Sequence, residues 1–516
     1  MNKRKKNILI AQVGTSNLQN TKYSSKVDLD NGQENCIETK YSFEAIIREI
    51  KKRRKSIDYL LLIGTIESRY KDIFDYYSQK MKYDDSHVVW QDSSITVNKE
   101  EKEQLLSEVI GTSLGIPALE VRIAVTGYGV NTDELNDNFD ILRETMGKVI
   151  DHAKSVNQFE VYFDISNGFR SIPIYIYTMI NYLVRVREEE FTLHMYYGMF
   201  EAKKKYYDVA PLVDLSHINE LMEWINAANT FMRYGNASMI KEVFEQKYNS
   251  LPKEEKPEWS SLKKMVNKVE NLSDTIQTCR GADGTELEMK ARKKNKCSVK
   301  SAYALFREEL SQKEEREQTS MKPLVPLFEK VKEKFSVFEK ENNYEVGMAV
   351  TAWSIENGMI QQGYTSLEET IKTWICHNYE LNEVDERNRE GIVGFIINEM
   401  KQQEIQNPKK DWRNPDIRWE AVCPIVEKKL QGNNNQDDSE LLEKMERMVK
   451  ELDFNLVILA REIKNKRNDI NHFGMRKNPM EASGLKSELE KYFIQFREIV
   501  ERKEAAVDDG TMERSF

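Results

Sequence analysis

Phe159-Glu160-Val161-Tyr162-Phe163-Asp164-Ile165-Ser166-Asn167-Gly168-Phe169-Arg170-Ser171-Ile172-Pro173 is the stretch that decides the fold. An apolar run reaches an aspartate, breaks in a small polar turn around a glycine, and resumes beside a proline. The pattern predicts a buried strand over 159–165, a tight loop, and a helix with Pro173 in its first turn that continues from Ile174 to Val186. The same unit recurs outward from it. Asn7 to Val13 runs into Gly14-Thr15-Ser16-Asn17, Tyr59 to Ile63 into Gly64-Thr65, and Val121 to Val125 into Thr126-Gly127. Helical spacing fills the intervals at Phe43 to Lys55, Tyr70 to Met81 and Leu135 to Ala153. Phe191 to Tyr197 and Tyr206 to Val209 read as a closing hairpin. Continuous apolar strands alternating with helices predict an α/β fold, a mostly parallel sheet with helices on both faces.

Composition narrows the function. The chain has 516 residues, enough for two or three domains. Its net charge of −9 argues against coating nucleic acid through bulk basicity, so any RNA or nucleotide site must be local. Five scattered cysteines, never spaced C-x-x-C, predict reduced thiols in a cytoplasmic protein without a disulfide framework or zinc site. No run approaches the length of a membrane span. Met1 to Lys6 followed by Ile8-Leu9-Ile10 is too short an apolar run for a secretory leader.

From about residue 216 the pattern becomes helical. Leu221, Trp224, Ile225, Ala228, Phe231 and Met232 form an apolar stripe. Gln402 to Gln436, with Pro408, Pro415, Pro424 and Asn433-Asn434-Asn435, reads as irregular connection. A clean helix runs from Glu440 to Gly474 and a last one from about Ser483 to Ala505. The division expected is therefore 1–215, 216–439 and 440–516: α/β first, then all-α.

In a doubly wound sheet, ligands bind beyond the carboxyl ends of the strands. Each predicted strand ends in residues that let backbone N–H groups approach an anion or that offer hydroxyls and amides. The candidate ligand residues are Gly14, Thr15, Ser16, Asn17, Gly64, Thr65, Thr126, Gly127, Ser166, Asn167, Gly168, Arg170 and Ser171. They suit a phosphate-rich nucleotide; neither G-x-G-x-x-G nor a Walker loop is present. In the helical part, Arg467-Asn468-Asp469-Ile470-Asn471-His472 closes a helix. A guanidinium can hold a phosphodiester and an imidazole can move protons near neutral pH, which is what metal-free RNA cleavage needs. Arg187 and His194 form a similar pair, but His194 lies in a strand-like run and reads as structural. Basic clusters at 51–55 and 290–300 read as solvated faces, and Trp412 and Trp419 as packing residues.

Asn7 to Asn17 together with Asp164 to Pro173 resembles the CARF domain, the CRISPR-associated Rossmann fold. Arg467, Asn468 and His472 resemble the R-x(4–6)-H motif of HEPN ribonucleases, and Ala227 to Asn236 resembles the opening helix of a HEPN part. The order resembles the stand-alone ribonucleases of type III CRISPR antiviral defence; it covers 1–215 and, in pieces, 216–245 and 440–500. The resemblance implies a Rossmann-like CARF sensor and a HEPN domain that cuts single-stranded RNA when cyclic oligoadenylate binds. The tetra-adenylate ring is implied first and the hexa-adenylate ring second. It further implies a homodimer or higher even oligomer, with no cofactor, no metal, no membrane and no stable contact with the CRISPR effector complex. Cleavage would leave 2′,3′-cyclic phosphate and 5′-OH ends, Arg467 stabilising the phosphorane, His472 acting as general acid or base, and Asn468 orienting groups. The competing expectation is a non-catalytic nucleotide-sensing regulator of transcription or of an interaction.

Overall fold

A computed structural model describes residues 5–25, 36–82, 95–96, 98–117, 120–152, 158–168, 171–186, 190–206, 208–281, 298–311, 325–431 and 438–508. The chain forms two compact units, Met1–Met222 and Glu223–Phe516.

The first unit is built on eight strands: β1 (Lys6–Val13), β2 (Thr21–Ser24), β3 (Ile37–Thr39), β4 (Tyr59–Thr65), β5 (Val121–Thr126), β6 (Gln158–Asp164), β7 (Glu190–Gly198) and β8 (Val209–Asp214). They lie in one sheet in the order β3-β2-β8-β7-β6-β1-β4-β5. β5, β4, β1, β6 and β7 run parallel, and β8 turns back antiparallel to β7. Five helices connect them: α1 (Ser42–Lys52), α2 (Tyr70–Met81), α3 (Lys99–Leu114), α4 (Thr132–His152) and α5 (Ser171–Val186).

Alternation along β1 explains why both faces are covered. Leu9, Ala11 and Val13 pack with Phe43, Ile46, Ile73, Phe74, Leu106 and Val109, so α1, α2 and α3 cover one face. Ile8 and Ile10 pack with Leu142, Met146, Ile176 and Met179, so α4 and α5 cover the other. The chain steps from β1 outward through β4 to β5, then crosses back to place β6 on the far side of β1. The strand order therefore reverses between β1 and β6, where a crevice opens beyond the carboxyl ends.

Some expectations are corrected. β2 and β3, four and three residues long, escape a reading based on long apolar runs. The hairpin exists, but its second strand begins at Val209, because a 3-10 turn over Phe200–Lys205 and a left-handed Asp208 intervene. The stretch 402–436 is not mainly irregular: the preceding helix reaches Gln406, and Pro415–Gln431 is helical. Pro415 opens that helix, where its missing N–H is harmless, and Asn414 Oδ1 accepts from the N–H of Asp416 at 3.0 Å. Asn433 to Asn435, Arg187 and Lys290 to Cys297 lie outside the described residues.

The second unit is helical throughout its described part. One core joins Tyr364, Leu367, Ile371 and Trp374 to Val393, Met400, Val422, Met448, Val457, Ile463, Leu489 and Phe496. Helices Ile360–Asn378, Phe454–Asn471 and Ala482–Asp508 meet there, so packing runs continuously across position 439/440. Trp412 and Arg418 are buried: the indole donates to the Asn407 carbonyl at 3.1 Å, and the guanidinium donates to Leu452 O at 2.7 Å.

Candidate functional site

The rim of the sheet is assembled from short loops that hold one another. Asp164, fully buried at the end of β6, organises the first set. Its Oδ1 accepts from Ser166 N at 2.9 Å and from Ser166 Oγ, and its Oδ2 accepts from Ser42 Oγ at 2.7 Å. Burial raises the pKa of this carboxyl, while the bonds from Ser166 and Ser42 oppose the rise. Asn167 Nδ2 donates to Ser42 Oγ at 3.1 Å, and Ser166 Oγ accepts from Gly198 N at 2.7 Å. The second set ties β4 to β1. Ser68 Oγ accepts from Thr65 N at 2.8 Å and donates to Val13 O at 2.6 Å, while Arg69 N donates to Gly14 O at 3.1 Å.

The two sets meet at the point of strand reversal. A side chain on Gly14 would lie 3.4 Å from Gly168 N and 3.7 Å from Asn167 Cβ. Gly168 has φ +102°, and a methyl there would overlap Gln12 Oε1. Gln12 is 2 % exposed, and neither end of its carboxamide has a hydrogen-bond partner. Buried amides are normally satisfied, so this one stands out.

Beside these loops lies a narrow cavity, open to solvent. Gln12, Gly14, Ser16 and Asn167 line it together with Lys40, Tyr41, Arg69 and Asp72. Tyr41 is 5 % exposed and its hydroxyl has no hydrogen-bond partner.

Of the rim residues expected from sequence, Thr15, Ser16, Asn17, Gly168 and Ser171 are exposed, and Gly14, Ser166 and Asn167 are half-buried. Gly64, Thr65 and Thr126 are corrected to scaffold: all three are buried, and Thr126 Oγ1 donates to Gly64 O at 3.3 Å. Gly127 is already engaged, its N–H on Asn138 Oδ1 at 2.7 Å and its carbonyl on Asn138 Nδ2 at 3.1 Å. Arg170 lies outside the described residues. Sequence reasoning missed Gln12, Lys40, Tyr41, Arg69 and Asp72. The available signal was position, since Lys40 and Arg69 sit just ahead of α1 and α2, on loops leading from the sheet edge.

In the helical unit, Asp453 caps the helix Phe454–Asn471, its carboxylate accepting from Asn455 N at 2.9 Å. Fourteen residues into the chain from that cap stands Arg467, its guanidinium gripped by Glu368 of the helix Ile360–Asn378. Nε lies 2.8 Å from one carboxylate oxygen and Nη2 donates to the other at 3.1 Å. Glu368 is 3 % exposed and also meets Lys372 Nζ at 3.2 Å. His472 ends the helix: its N–H reaches Asn468 O at 3.0 Å and its side chain is exposed. Phe473 and Gly474 follow with positive φ, and buried Asp469 accepts from Met480 N at 3.0 Å, fixing the turn. Phe473 and Met475 are largely exposed on either side of that turn. His194, the decoy, stacks on Tyr162 at 4.9 Å, and its pKa is lowered, mainly by burial. Among the described residues, no three His, Cys, Asp or Glu side chains group to hold a metal, and no helix is long and apolar enough to cross a membrane.

Residues 8–211 match the family model of the CARF domain of the CRISPR system endoribonuclease Csx1. The N-terminal unit is a CARF domain. Residues 220–342 match the second domain of the CRISPR-associated protein MJ1674. The whole chain is 25 % identical over 454 residues to that protein from Methanocaldococcus jannaschii, covering 84 % of this chain. It spans 64 % of that relative's length. A solved structure, Enterococcus italicus Csm6 bound to cyclic hexa-2′-fluoro-hexa-dAMP, aligns with 95 % of this chain and 94 % of its own at a TM-score of 0.35 and 10 % identity. The crevice between β1 and β6 lies at the rim of this CARF domain's sheet.

Proposed function

We propose that this protein is a single-stranded RNA endoribonuclease of type III CRISPR defence, switched on by cyclic oligoadenylate bound at the CARF rim. The observation that carries the nuclease reading is the pairing of Arg467 with buried Glu368, five residues ahead of exposed His472. A guanidinium held by a buried carboxylate has a fixed place, so it can meet phosphate oxygens without first being ordered. His472, five residues on and about 140° around an ideal helix from Arg467, is exposed, and an imidazole is a group that can pass protons to or from a substrate.

In the proposed reaction the 2′-oxygen of the substrate attacks the adjacent phosphorus and loses its proton to a base. The bond to the 5′-oxygen breaks, and that oxygen takes a proton from an acid. The products are a 2′,3′-cyclic phosphate and a 5′-OH. His472 serves as acid or base, Arg467 stabilises the charge on the phosphorane, and Asn468 orients them. The HEPN core proposed at 440–516 draws its opening helix from residues near 216–245, and two copies pair to complete the site. Every group needed is supplied by side chains, so the reaction needs no metal.

The test is to incubate the purified chain with a fluorogenic single-stranded RNA in excess EDTA, alone and with cyclic tetra-adenylate or cyclic hexa-adenylate. Ring-dependent cleavage to cyclic-phosphate ends supports the reading. Cleavage that requires an added divalent ion, or none with either ring, overturns it.

A further inference from the structure

The cavity beside the CARF rim carries an uneven charge arrangement. Lys40 and Arg69 both face a single carboxylate, Asp72. Arg69 Nε donates to Asp72 Oδ2 at 2.7 Å and Nη2 to Oδ1 at 3.3 Å, and Lys40 Nζ lies 3.9 Å from Oδ2. Two cations against one carboxylate leave a net positive charge at the mouth. Lys40 also sits over the Tyr41 ring, 5.9 Å from its centre. The buried Tyr41 hydroxyl has nothing to donate to. Aromatic contacts already seat that ring against Phe43, Tyr76 and Tyr77, so its packing does not depend on the hydroxyl.

Three donor groups without enough acceptors, in residues lining one open cavity, describe an anion site. We propose that Lys40, Arg69 and Tyr41 form the subsite that takes a phosphodiester of the cyclic oligonucleotide, and that Asp72 is a built-in competitor holding Arg69 until that phosphate arrives. This rests on reading the rim as a cyclic-oligoadenylate site. A phosphodiester has only acceptor oxygens, which the three donors match. Its negative charge replaces that of Asp72 against Arg69, and the displaced carboxylate, already partly exposed, turns to water. The N–H of Arg69 is bonded to Gly14 O, so phosphate capture at its side chain acts on the same backbone that borders the crevice. Asp72 thereby sets a threshold, since ligand must out-compete an internal anion before the loops engage.

Binding of cyclic tetra-adenylate and cyclic hexa-adenylate to the full chain is measured by calorimetry for wild type and four variants. Asp72→Asn is expected to bind about threefold to tenfold more tightly, because the competitor is gone. Arg69→Ala and Lys40→Ala are expected to weaken binding by about tenfold or more and to lower the salt dependence of affinity. Tyr41→Phe is the variant that separates a ligand role from a structural one. Removing an unpartnered buried hydroxyl leaves the melting temperature unchanged or raises it, while affinity falls by about fivefold. If wild type binds and Asp72→Asn is unchanged or weaker, the competitor is disproved. If Tyr41→Phe and Arg69→Ala bind as wild type does, the subsite is disproved while the sensor reading stands. If wild type binds neither ring, the sensor reading falls and takes the subsite with it.

Discussion

Arg467→Ala and His472→Ala are expected to look alike in an RNA cleavage assay and different in a melting experiment. Their place at a polar helix end suggests that both can be removed without harming the fold. The packing separates them. Glu368, with its side chain 4 % exposed, has two cationic neighbours, Arg467 and Lys372. Deleting one partner of a buried pair costs about 3–5 kcal/mol when the remaining charge is left alone. Here Lys372 stays at 3.2 Å, so the expected loss for Arg467→Ala is smaller, about 1–3 kcal/mol. For a unit of this size that lowers the melting temperature by about 2–5 °C. His472 is exposed and joins the structure by its backbone, so His472→Ala should stay within about 0.5 kcal/mol of wild type. Arg467→Lys should recover part of the stability by keeping a cation beside Glu368, but lack the planar guanidinium whose Nη2 donates to Glu368 Oε1. Differential scanning calorimetry on the three variants, beside activator-dependent cleavage, gives the answer. An Arg467→Ala protein that melts with wild type would show that the Glu368 pair does not hold the guanidinium in solution. Full cleavage by either alanine variant would refute its assignment as a catalytic residue.

Other expectations follow from the CARF domain. Gly168→Ala forces a side chain onto φ +102° and against Gln12, at a cost of about 1–3 kcal/mol, and should raise the half-maximal activator concentration in a cleavage titration. An unchanged activation curve would remove Gly168 from the rim. His194 should make this domain less stable in mild acid. Its folded pKa is lowered by burial, so the unfolded chain binds the proton more readily. The stability it contributes is present above the ordinary histidine pKa and is lost as pH falls below it, whereas His194→Phe, which keeps a ring against Tyr162, should flatten that slope. Melting curves between pH 7.5 and 5.5 test this (roughly the span over which histidine titrates), and equal slopes for both proteins would count against it. His194→Phe should leave the cleavage rate at saturating activator unaltered.

The parallel sheet was legible because its central strands are buried on both faces and so spell uninterrupted apolar runs ending at glycine. β2 and β3 were not, because at four and three residues they have no run to read, and partners far along the chain make them strands. The rim was half legible. Glycine and small polar residues after a strand announce a loop, but not whether its polar groups are free. Gly127 and Asn138 satisfy each other across eleven residues, and Thr126 bonds to Gly64 across a strand pair. Lys40, Tyr41, Arg69 and Asp72 come from two segments nearly thirty residues apart, brought together only when β4 pairs with β1 and the two helices cover the same face. Glu368 stands 99 positions from Arg467, so no local motif could link them.

The seam where Gly14 approaches Gly168 bears on any redesign of the loops at this rim. A first side-chain atom on Gly14 would sit at an ordinary contact distance, 3.4 Å, from Gly168 N, whereas one on Gly168 would overlap Gln12 Oε1 and would have to adopt φ +102°. Substitution enters most freely at Thr15, Ser16 and Asn17, which are exposed and tied to neither neighbour strand. A library randomised at those three positions would vary the exposed lip of the crevice while leaving Gly168 against Gln12, whereas one that randomises Gly168 would mostly return strained loops.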